Sequence, residues 1–409
     1  MNVPKSPPSR KHRVAVTGIG VVSPLGRGIA ETRVGLFENP RYCGTEVTRF
    51  SVSQTRCKSA AVVERTLFSD LMPMSRLSRQ PHTNSLMMEA AMREAMESAG
   101  NGPLPELCMM GTTSGAMTNG EAFFRSLCEM NGKRLRAHAV ANYMPQKPVL
   151  DAMNHCGLRM PLQLVANACA SGSNAVGMGW SLIRNGSARC VMTGGYDGLS
   201  ELVFVGFDCL QAATPEICRP FDRDRSGLIL GEAAAVLILE NLDDAIARGA
   251  QIHAELAGYG ITTDNHHLTQ PHPSGSAVKA AMQQALKATE TPPDAVDYIN
   301  AHGTATPFND ATEGLAISEL CRAGVGVSST KSMIGHTLGA AGAVEAIFSV
   351  LSLNENCMPP NLNFRSGDPD RTFEVVTSPR TTSLHSVLSN SLGFGGTNAA
   401  LHFRKGQAA

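Results

Sequence analysis

Hydrophobic and polar residues alternate along this chain in two distinct patterns. Continuous apolar runs bounded by Gly, Pro or Asn are typical of strands covered on both faces, and apolar residues at three- and four-residue spacing are typical of helices packed on a sheet. The first pattern predicts strands at residues 14–22, 107–113, 162–165, 189–194, 233–240, 254–261, 296–301, 326–329, 386–390 and 399–403. The second predicts helices at residues 32–37, 83–99, 174–183, 243–249, 277–288, 309–321 and 338–353.

Alternating strands and helices predict an α/β fold in which helices cover the sheets. The same rhythm begins again near residue 254, which indicates two similar halves although the sequence shows no repeat period. The predicted organisation is a tail at residues 1–11, a first half at residues 12–253 and a second half at residues 254–409.

Composition narrows the function classes. The chain has 409 residues, 43% of them hydrophobic, which is enough for a sizeable core. Lys plus Arg equals Asp plus Glu at 35 each, so no overall charge favours binding to nucleic acid.

The sequence predicts no membrane span and no signal peptide. Its apolar runs are much shorter than the roughly 18 residues that a membrane span needs. Gly and Pro interrupt the apolar run after the N-terminal tail, which makes it a poor signal-peptide core. The 11 cysteines include no C-x-x-C pair, which argues against a zinc site or a disulfide framework and predicts a cytoplasmic protein.

One cysteine lies where a nucleophile would be expected. Cys169 sits in the segment Asn-Ala-Cys-Ala-Ser-Gly at residues 167–172, between a predicted strand and a predicted helix. The unpaired N–H groups and positive dipole end of a helix N-terminus favour a thiolate, and small neighbours let a substrate carbonyl approach the sulfur. A buried cysteine that packs as a small hydrophobe explains this stretch equally well.

Two histidines, His302 and His336, follow the predicted strands at residues 296–301 and 326–329. Strand ends are where α/β folds place active-site groups, and neutral imidazoles can stabilise an oxyanion or pair with a thiolate. A structural role is the alternative for each, and no third ligand has the spacing for a metal site. Lys331 could place a cation in the same site, and Glu345 on the following apolar helix needs a partner if it is buried.

Five segments together resemble the β-ketoacyl-acyl-carrier-protein synthases of the KAS I/II type, in the thiolase superfamily. They are residues 167–172, residues 220–227 (Pro-Phe-Asp-Arg-Asp-Arg-Ser-Gly), residues 301–307 (Ala-His-Gly-Thr-Ala-Thr-Pro), residues 329–336 (Ser-Thr-Lys-Ser-Met-Ile-Gly-His) and residues 393–398 (Gly-Phe-Gly-Gly-Thr-Asn). The resemblance covers about residues 13–403. It implies a duplicated thiolase fold, layered α-β-α-β-α, that works as a dimer.

The resemblance also implies a decarboxylative Claisen condensation. Cys169 would take an acyl group from acyl carrier protein as a thioester, and His302 and His336 would stabilise the enolate formed when malonyl-acyl carrier protein loses carbon dioxide. The backbone N–H groups of Cys169 and Phe394 would form the oxyanion hole. Phe394 would also act as a gate, beside a mobile loop at residues 264–273.

Supporting roles follow from the same resemblance. Thr304 and Thr306 would bind the phosphopantetheine arm that carries the substrates, and no metal or other cofactor is implied. Lys331, paired with Glu345, would hold the histidine region in place. Further supporting carboxylates are Asp310 and Glu313. Since acyl carrier protein is acidic in such systems, a basic patch should bind it; the candidates are Lys133, Arg134 and Arg136, for which a solvated loop is the alternative interpretation.

Related activities remain open at this stage. A thiolase would carry a second reactive cysteine where Phe394 lies, the initiating synthases have asparagine where His336 stands, and a non-catalytic chain-length factor lacks the cysteine. Leu392 stands where elongating synthases usually have phenylalanine. A specialised polyketide or aryl-polyene ketosynthase with a non-identical partner subunit therefore stays an alternative to a homodimeric fatty-acid enzyme, as do a scaffold subunit and a cysteine hydrolase.

Overall fold

The computed structural model describes residues 11–71, 82–129 and 137–406. Ten strands carry the architecture: β1 (Val14–Ser23), β2 (Leu107–Gly111), β3 (Leu162–Val165), β4 (Cys190–Asp197), β5 (Ala233–Asn241), β6 (Ala254–Thr263), β7 (Tyr298–Asn300), β8 (Gly326–Ser328), β9 (Ser386–Gly393) and β10 (Thr397–Lys405). The α-helices of the described ranges are α1 (Ile29–Arg33), α2 (Thr83–Ala99), α3 (Met117–Glu129), α4 (Lys147–His155), α5 (Ser171–Arg184), α6 (Glu201–Cys209), α7 (Leu242–Ala247), α8 (Ser276–Lys287), α9 (Pro307–Leu320), α10 (Lys331–Ile334) and α11 (Ala341–Glu355). Shorter strands lie at Gly26–Arg27, Thr45–Glu46, Ser59–Ala61, Leu230–Gly231, Cys357–Met358, Glu374–Val375 and Arg380–Thr381.

The two halves of the chain repeat one strand order. The first half runs β3-β2-β4-β5-β1 and the second runs β8-β7-β9-β10-β6. In each half the second strand of this order, β2 or β7, is parallel to both neighbours, and the strands that follow it in the order pair antiparallel. An antiparallel pairing of β1 with β6 joins the halves. The predicted α/β fold with two similar halves is therefore confirmed; the boundary predicted between residues 253 and 254 falls between α7 and β6 and stays a prediction.

The helices α5 and α11 form the central layer of the molecule. They pack on each other and on strands of both halves, while α2 and α8 cover the outer faces. Residues 341–353 of α11 are all buried, as a helix between two sheets requires. Small residues allow the close approach: a Cβ on Gly172 would lie 2.7 Å from the carbonyl oxygen of Gly339. The N-termini of α5 and α11 therefore lie side by side.

The structure differs from the sequence-based expectation in two places. The helix predicted at residues 338–353 begins with a separate 3-10 turn, Leu338–Ala340, in which Leu338 has a left-handed φ of 54°. In addition, the sequence pattern predicts no element at residues 120–150, which contain most of α3, a 3-10 turn at Ala137–Tyr143 and the start of α4. The basic patch predicted at Lys133, Arg134 and Arg136 lies outside the described residues. No helix in the described ranges is long and apolar enough to cross a membrane.

Candidate active site

Cys169 lies in the sharp turn between β3 and α5. The preceding Ala168 has a φ of 56°, a left-handed conformation that costs a non-glycine residue roughly 1–2 kcal/mol. The Ser171 side chain holds the turn, because its hydroxyl accepts a hydrogen bond from the Asn167 N–H at 2.9 Å and donates one to the Ala168 carbonyl at 2.5 Å. This geometry places Cys169 immediately before the helix, as the sequence predicts.

A cavity of about 420 Å³ brings the predicted residues of both halves together. Cys169, His302, His336 and Phe394 all contribute to its wall. Further lining residues are Phe207, Leu228, Asp264, Leu268, Thr304, Thr306, Phe308 and Leu392. Residues separated by more than a hundred positions in sequence therefore face one space.

The Cys169 side chain is a neutral thiol in its resting state. Burial raises the pKa of this cysteine to about 11, although the positive charge of Lys331 and a hydrogen bond from the Phe394 N–H act in the opposite direction. The expectation of a stabilised thiolate is therefore wrong: with only 4% of the residue exposed, the loss of solvation outweighs the favourable groups. The backbone N–H groups of Phe394 and of Cys169 itself both act on the sulfur in the direction that lowers its pKa. Their role as an oxyanion hole stays a prediction.

His302 and His336 lie edge to face, with their ring centroids 5.3 Å apart. Burial, followed by the charge of Lys331, holds the pKa of both imidazoles well below the usual range, so both are neutral at physiological pH. The Leu338 N–H donates to Nδ1 of His336 at 3.3 Å, which leaves the proton of the neutral ring on Nε2. That Nε2 is buried and has no hydrogen-bond partner among the described residues. It is a free donor on a ring that lines the cavity.

Two buried carboxylates of α9 hold the loop that follows β7. Glu313 accepts the backbone N–H groups of His302 and Gly303 at 2.9 and 2.8 Å, and burial raises its pKa to about 7. Asp310 accepts the N–H groups of Ala305 and Phe221. Neither carboxylate belongs to the described lining of the cavity. They position the backbone that carries His302.

Thr304 and Thr306 lie on the same loop and do line the cavity. Their hydroxyl oxygens are 2.8 Å apart, so the two side chains share one hydrogen bond.

Lys331 and Glu345 form a buried ion pair behind the cavity wall. Their side chains are 1% and 2% exposed, and Nζ of Lys331 contacts Oε1 of Glu345. The second oxygen, Oε2, has no hydrogen-bond partner in the described parts of the chain, and burial raises the pKa of Glu345 to about 7 against the opposing effect of Lys331. Lys331 is absent from the described cavity lining, so its charge acts on the cysteine and the histidines without direct access to the cavity.

The wall around Phe394 is built from two hydrogen-bonded loops. The Phe394 ring stacks on Phe207 with centroids 5.4 Å apart, and Phe207 in turn lies edge-on to His336. The Gly395 N–H donates to the Leu268 carbonyl at 2.7 Å, and the Asp264 N–H donates to the Gly396 carbonyl at 2.8 Å. The loop expected at residues 264–273 is thus tied to the turn that carries Phe394.

Two residues of the site were not predicted from the sequence. Phe207 lies on α6, where no helix was predicted. Asp197 ends β4, three residues beyond the predicted strand at 189–194, and its buried carboxylate accepts hydrogen bonds from two neighbouring loops. An acidic residue just past a buried strand is the signal that could have identified it. The described residues contain no cluster of three or more His, Cys, Asp or Glu side chains that could hold a metal ion.

Known proteins match nearly the whole length of this chain. Family models described as β-ketoacyl synthase, N-terminal domain and β-ketoacyl synthase, C-terminal domain match residues 11–245 and 253–365. The chain is 35% identical to 3-oxoacyl-[acyl-carrier-protein] synthase 2 of Synechocystis, covering 97% of this chain and 99% of the relative. It is 32% identical to the Staphylococcus aureus enzyme of the same name, over 98% and 100% of the two chains.

A solved structure titled the ishigamide ketosynthase/chain length factor superposes with a TM-score of 0.89 at 30% identity and covers 97% of this chain and all of its own. A β-ketoacyl synthase from Burkholderia phymatum superposes with a TM-score of 0.85 at 30% identity, with the same coverage. These solved structures share the thiolase-like fold found here. The chain therefore belongs to the β-ketoacyl synthase family of acyltransferases.

Proposed function

We propose that this protein is a 3-oxoacyl-acyl-carrier-protein synthase that condenses malonyl-acyl carrier protein with an acyl chain held on Cys169. One observation carries the proposal: the residues that supply a thiol, two backbone N–H groups and two neutral imidazoles line one cavity. A soft nucleophile suits thioester exchange, and fixed neutral donors suit an enolate.

The first step is transfer of the acyl group to Cys169. The sulfur attacks the thioester carbonyl of the incoming acyl-pantetheine, and the N–H groups of Cys169 and Phe394 stabilise the oxyanion. The C–S bond to pantetheine then breaks, and the proton lost by Cys169 leaves with the pantetheine thiol. Because burial raises the pKa of Cys169 to about 11, the resting side chain is a thiol, and we propose that its deprotonation is coupled to the attack.

The second step is decarboxylation of the malonyl group. Its thioester oxygen accepts the Nε2–H of His336, with His302 beside it, and the electron pair of the breaking C–C bond moves onto the enolate oxygen as carbon dioxide leaves. The low pKa values keep both rings neutral, so neither ring transfers a proton to the nascent carbanion at neutral pH.

The third step forms the new carbon–carbon bond. The enolate carbon attacks the acyl carbonyl on Cys169, whose oxygen again lies at the Cys169 and Phe394 N–H groups. Collapse breaks the C–S bond, releases the 3-oxoacyl thioester and leaves a thiolate that takes up one proton. We assign Thr304 and Thr306 to the pantetheine arm because their hydroxyls line the same cavity as Cys169.

The proposal includes a homodimer. Large apolar side chains are exposed on α3, on the adjoining 3-10 turn and at the start of α4: Phe124, Leu127, Val140, Tyr143, Met144 and Leu150. The neighbouring β3 has one partner strand in the described sheet, β2, so its other edge can pair with a second copy. Association with a related, non-identical subunit is the second candidate, because a similar structure is titled a ketosynthase/chain length factor. The second reason is that Leu392, which stands where elongating synthases usually have phenylalanine, lines the cavity.

The proposed partner and compartment follow from the chemistry. The thioester donors are acyl carrier proteins, and whether Lys133, Arg134 and Arg136 bind them stays a prediction. All eleven cysteines lie in the described ranges and none is in a disulfide, which is the state that a reducing cytoplasm maintains.

Intact-protein mass spectrometry across a panel of acyl-acyl carrier proteins tests the proposal. We expect an acyl adduct on the wild-type protein, none on Cys169→Ala, and a 3-oxoacyl product once malonyl-acyl carrier protein is added. Release of free acid instead would identify a hydrolase. A wild-type protein that never acquires an adduct would identify a scaffold subunit, and either result would contradict the proposal.

A further inference from the structure

The Asp197 carboxylate is a hub of hydrogen bonds between the two halves. It is fully buried at the end of β4. Oδ2 accepts the backbone N–H groups of Thr113 at 2.7 Å and Gly339 at 2.6 Å. Oδ1 accepts the N–H groups of Ser114 and Gly115 and the hydroxyls of Thr112 and Ser114, at 2.7–3.2 Å. Backbone N–H groups can only donate, so these contacts require an acceptor at both oxygens, which an ionised carboxylate provides. Burial raises the pKa of Asp197, and the hydrogen bonds from Ser114, Thr113 and Thr112 oppose that effect.

One of these bonds leads directly to a histidine of the site. Gly339 directly follows Leu338, which has a left-handed φ of 54°. The N–H of Leu338 donates to Nδ1 of His336. A left-handed leucine persists only where its surroundings hold it. Gly339 is wedged tightly, because a Cβ there would lie 2.5 Å from the Thr112 carbonyl carbon. The carboxylate thus clamps the residue next to the amide that orients the imidazole.

We propose that Asp197 is a positioning residue for His336: its carboxylate holds the turn at residues 337–339 and so keeps the Leu338 amide on Nδ1 and the imidazole proton on Nε2, facing the cavity. The inference rests on the proposed function, in which that proton stabilises the enolate. Asp197 does not line the cavity and contacts no group used in the proposed transfer of the acyl group to Cys169, so its loss should separate the two half-reactions.

The test compares Asp197→Asn with a matched control, Asp222→Asn. Asp222 is equally buried and accepts three backbone N–H groups, from Asp224, Arg365 and Ser366, away from the His336 turn. For Asp197→Asn we expect carbon dioxide release from malonyl-acyl carrier protein to fall about 10- to 100-fold, by analogy with the loss of a partner that orients a metal-bound imidazole. Acylation of Cys169 should persist, since removing this negative charge lowers the pKa of the thiol. The control should leave the ratio of the two rates unchanged.

Histidine ¹⁵N chemical shifts give a direct readout of the mechanism. We expect the wild-type His336 to show one neutral tautomer, protonated on Nε2, and Asp197→Asn to show a mixture. If Asp197→Asn does not fold, the near-isosteric Thr112→Val, which removes one hydroxyl bond to Oδ1, should show the same selective loss to a smaller degree. A parallel fall of both rates, or an unchanged tautomer, would overturn the inference. A wild-type protein that releases no carbon dioxide would instead contradict the proposed function.

Discussion

Replacing Lys331 by Met removes one partner of a buried ion pair and keeps most of the side-chain volume. The partner carboxylate of Glu345 is 2% exposed, and one of its oxygens already has no described hydrogen-bond partner. Breaking such a pair from one side typically costs about 3–5 kcal/mol of folding stability. Glu345 can escape part of this cost by taking up a proton, since its pKa is about 7 even with Lys331 present and rises further without it.

The sign of the pH dependence follows from that proton. In the variant the folded state binds a proton on Glu345 over a pH range where the unfolded carboxyl, with its ordinary low pKa, has lost it. Stability of Lys331→Met relative to wild type should therefore be least reduced near pH 6 and fall further as the pH rises through 7 to 9. Urea unfolding at pH 6 and pH 9 measures this difference.

A double variant and a surface control complete the experiment. Lys331→Met combined with Glu345→Gln removes both charges and should recover about 2 kcal/mol relative to the single variant at pH 9. Lys147→Met breaks a partly exposed i,i+4 pair with Asp151, in which the two side chains are 33% and 25% exposed, and should cost about 0.5 kcal/mol. The account of a costly buried pair is refuted if Lys331→Met unfolds within about 1 kcal/mol of wild type at both pH values.

Three further predictions test the remaining electrostatics and the cavity wall. Alkylation of Cys169 by iodoacetamide can be followed by mass spectrometry of the peptide that contains it. Because the pKa of Cys169 is about 11, the reactive thiolate fraction, and with it the rate, should rise about tenfold per pH unit from pH 7 to 10. A rate that reaches a plateau near pH 8.5 would contradict this. Phe394→Ala removes the ring stacked on Phe207 but keeps the backbone donor, so alkylation at pH 9 should be faster with the same pH slope, and an unchanged rate would show that the ring does not shield the thiol. Burial lowers the pKa of His402 to about 3, whereas the unfolded imidazole has its ordinary pKa near 6.5. Between pH 7.5 and 5.5 only the unfolded state therefore binds a proton at His402, which destabilises the fold. The unfolding free energy of the wild type should drop about 1.4 kcal/mol more over this range than that of His402→Gln. Equal pH slopes for the two proteins would argue against that assignment.

The placement of the reactive residues could be predicted because it depends on local pattern. Cys169, His302 and His336 each follow an apolar run that is long enough to identify a strand, and strand ends converge at one edge of an α/β sheet. The pairing of β1 with β6, which aligns the two halves, depends on contacts across some 240 residues and leaves no periodic signal in the sequence.

The missed features arise from tertiary contacts. Residues 201–209 are rich in Val and Phe, which favour strands, yet they form α6. Leu338 would continue a helix on propensity alone; its left-handed conformation is imposed by the packing of Gly339 and the bond to Asp197. The thiolate expectation failed because a helix N-terminus is visible in a sequence, whereas the degree of burial that raises the pKa of Cys169 is not.

The central claim is that one cavity holds both an acyl-carrying thiol and a separate decarboxylation site. The most direct measurement is paired on one variant, His336→Ala: the acyl adduct on Cys169 by intact mass, and carbon dioxide release from malonyl-acyl carrier protein. The account predicts that the adduct forms as in wild type while carbon dioxide release falls about 10²- to 10³-fold, the usual effect of losing one oxyanion donor. Carbon dioxide release at the wild-type rate, or loss of the adduct in parallel, would contradict it.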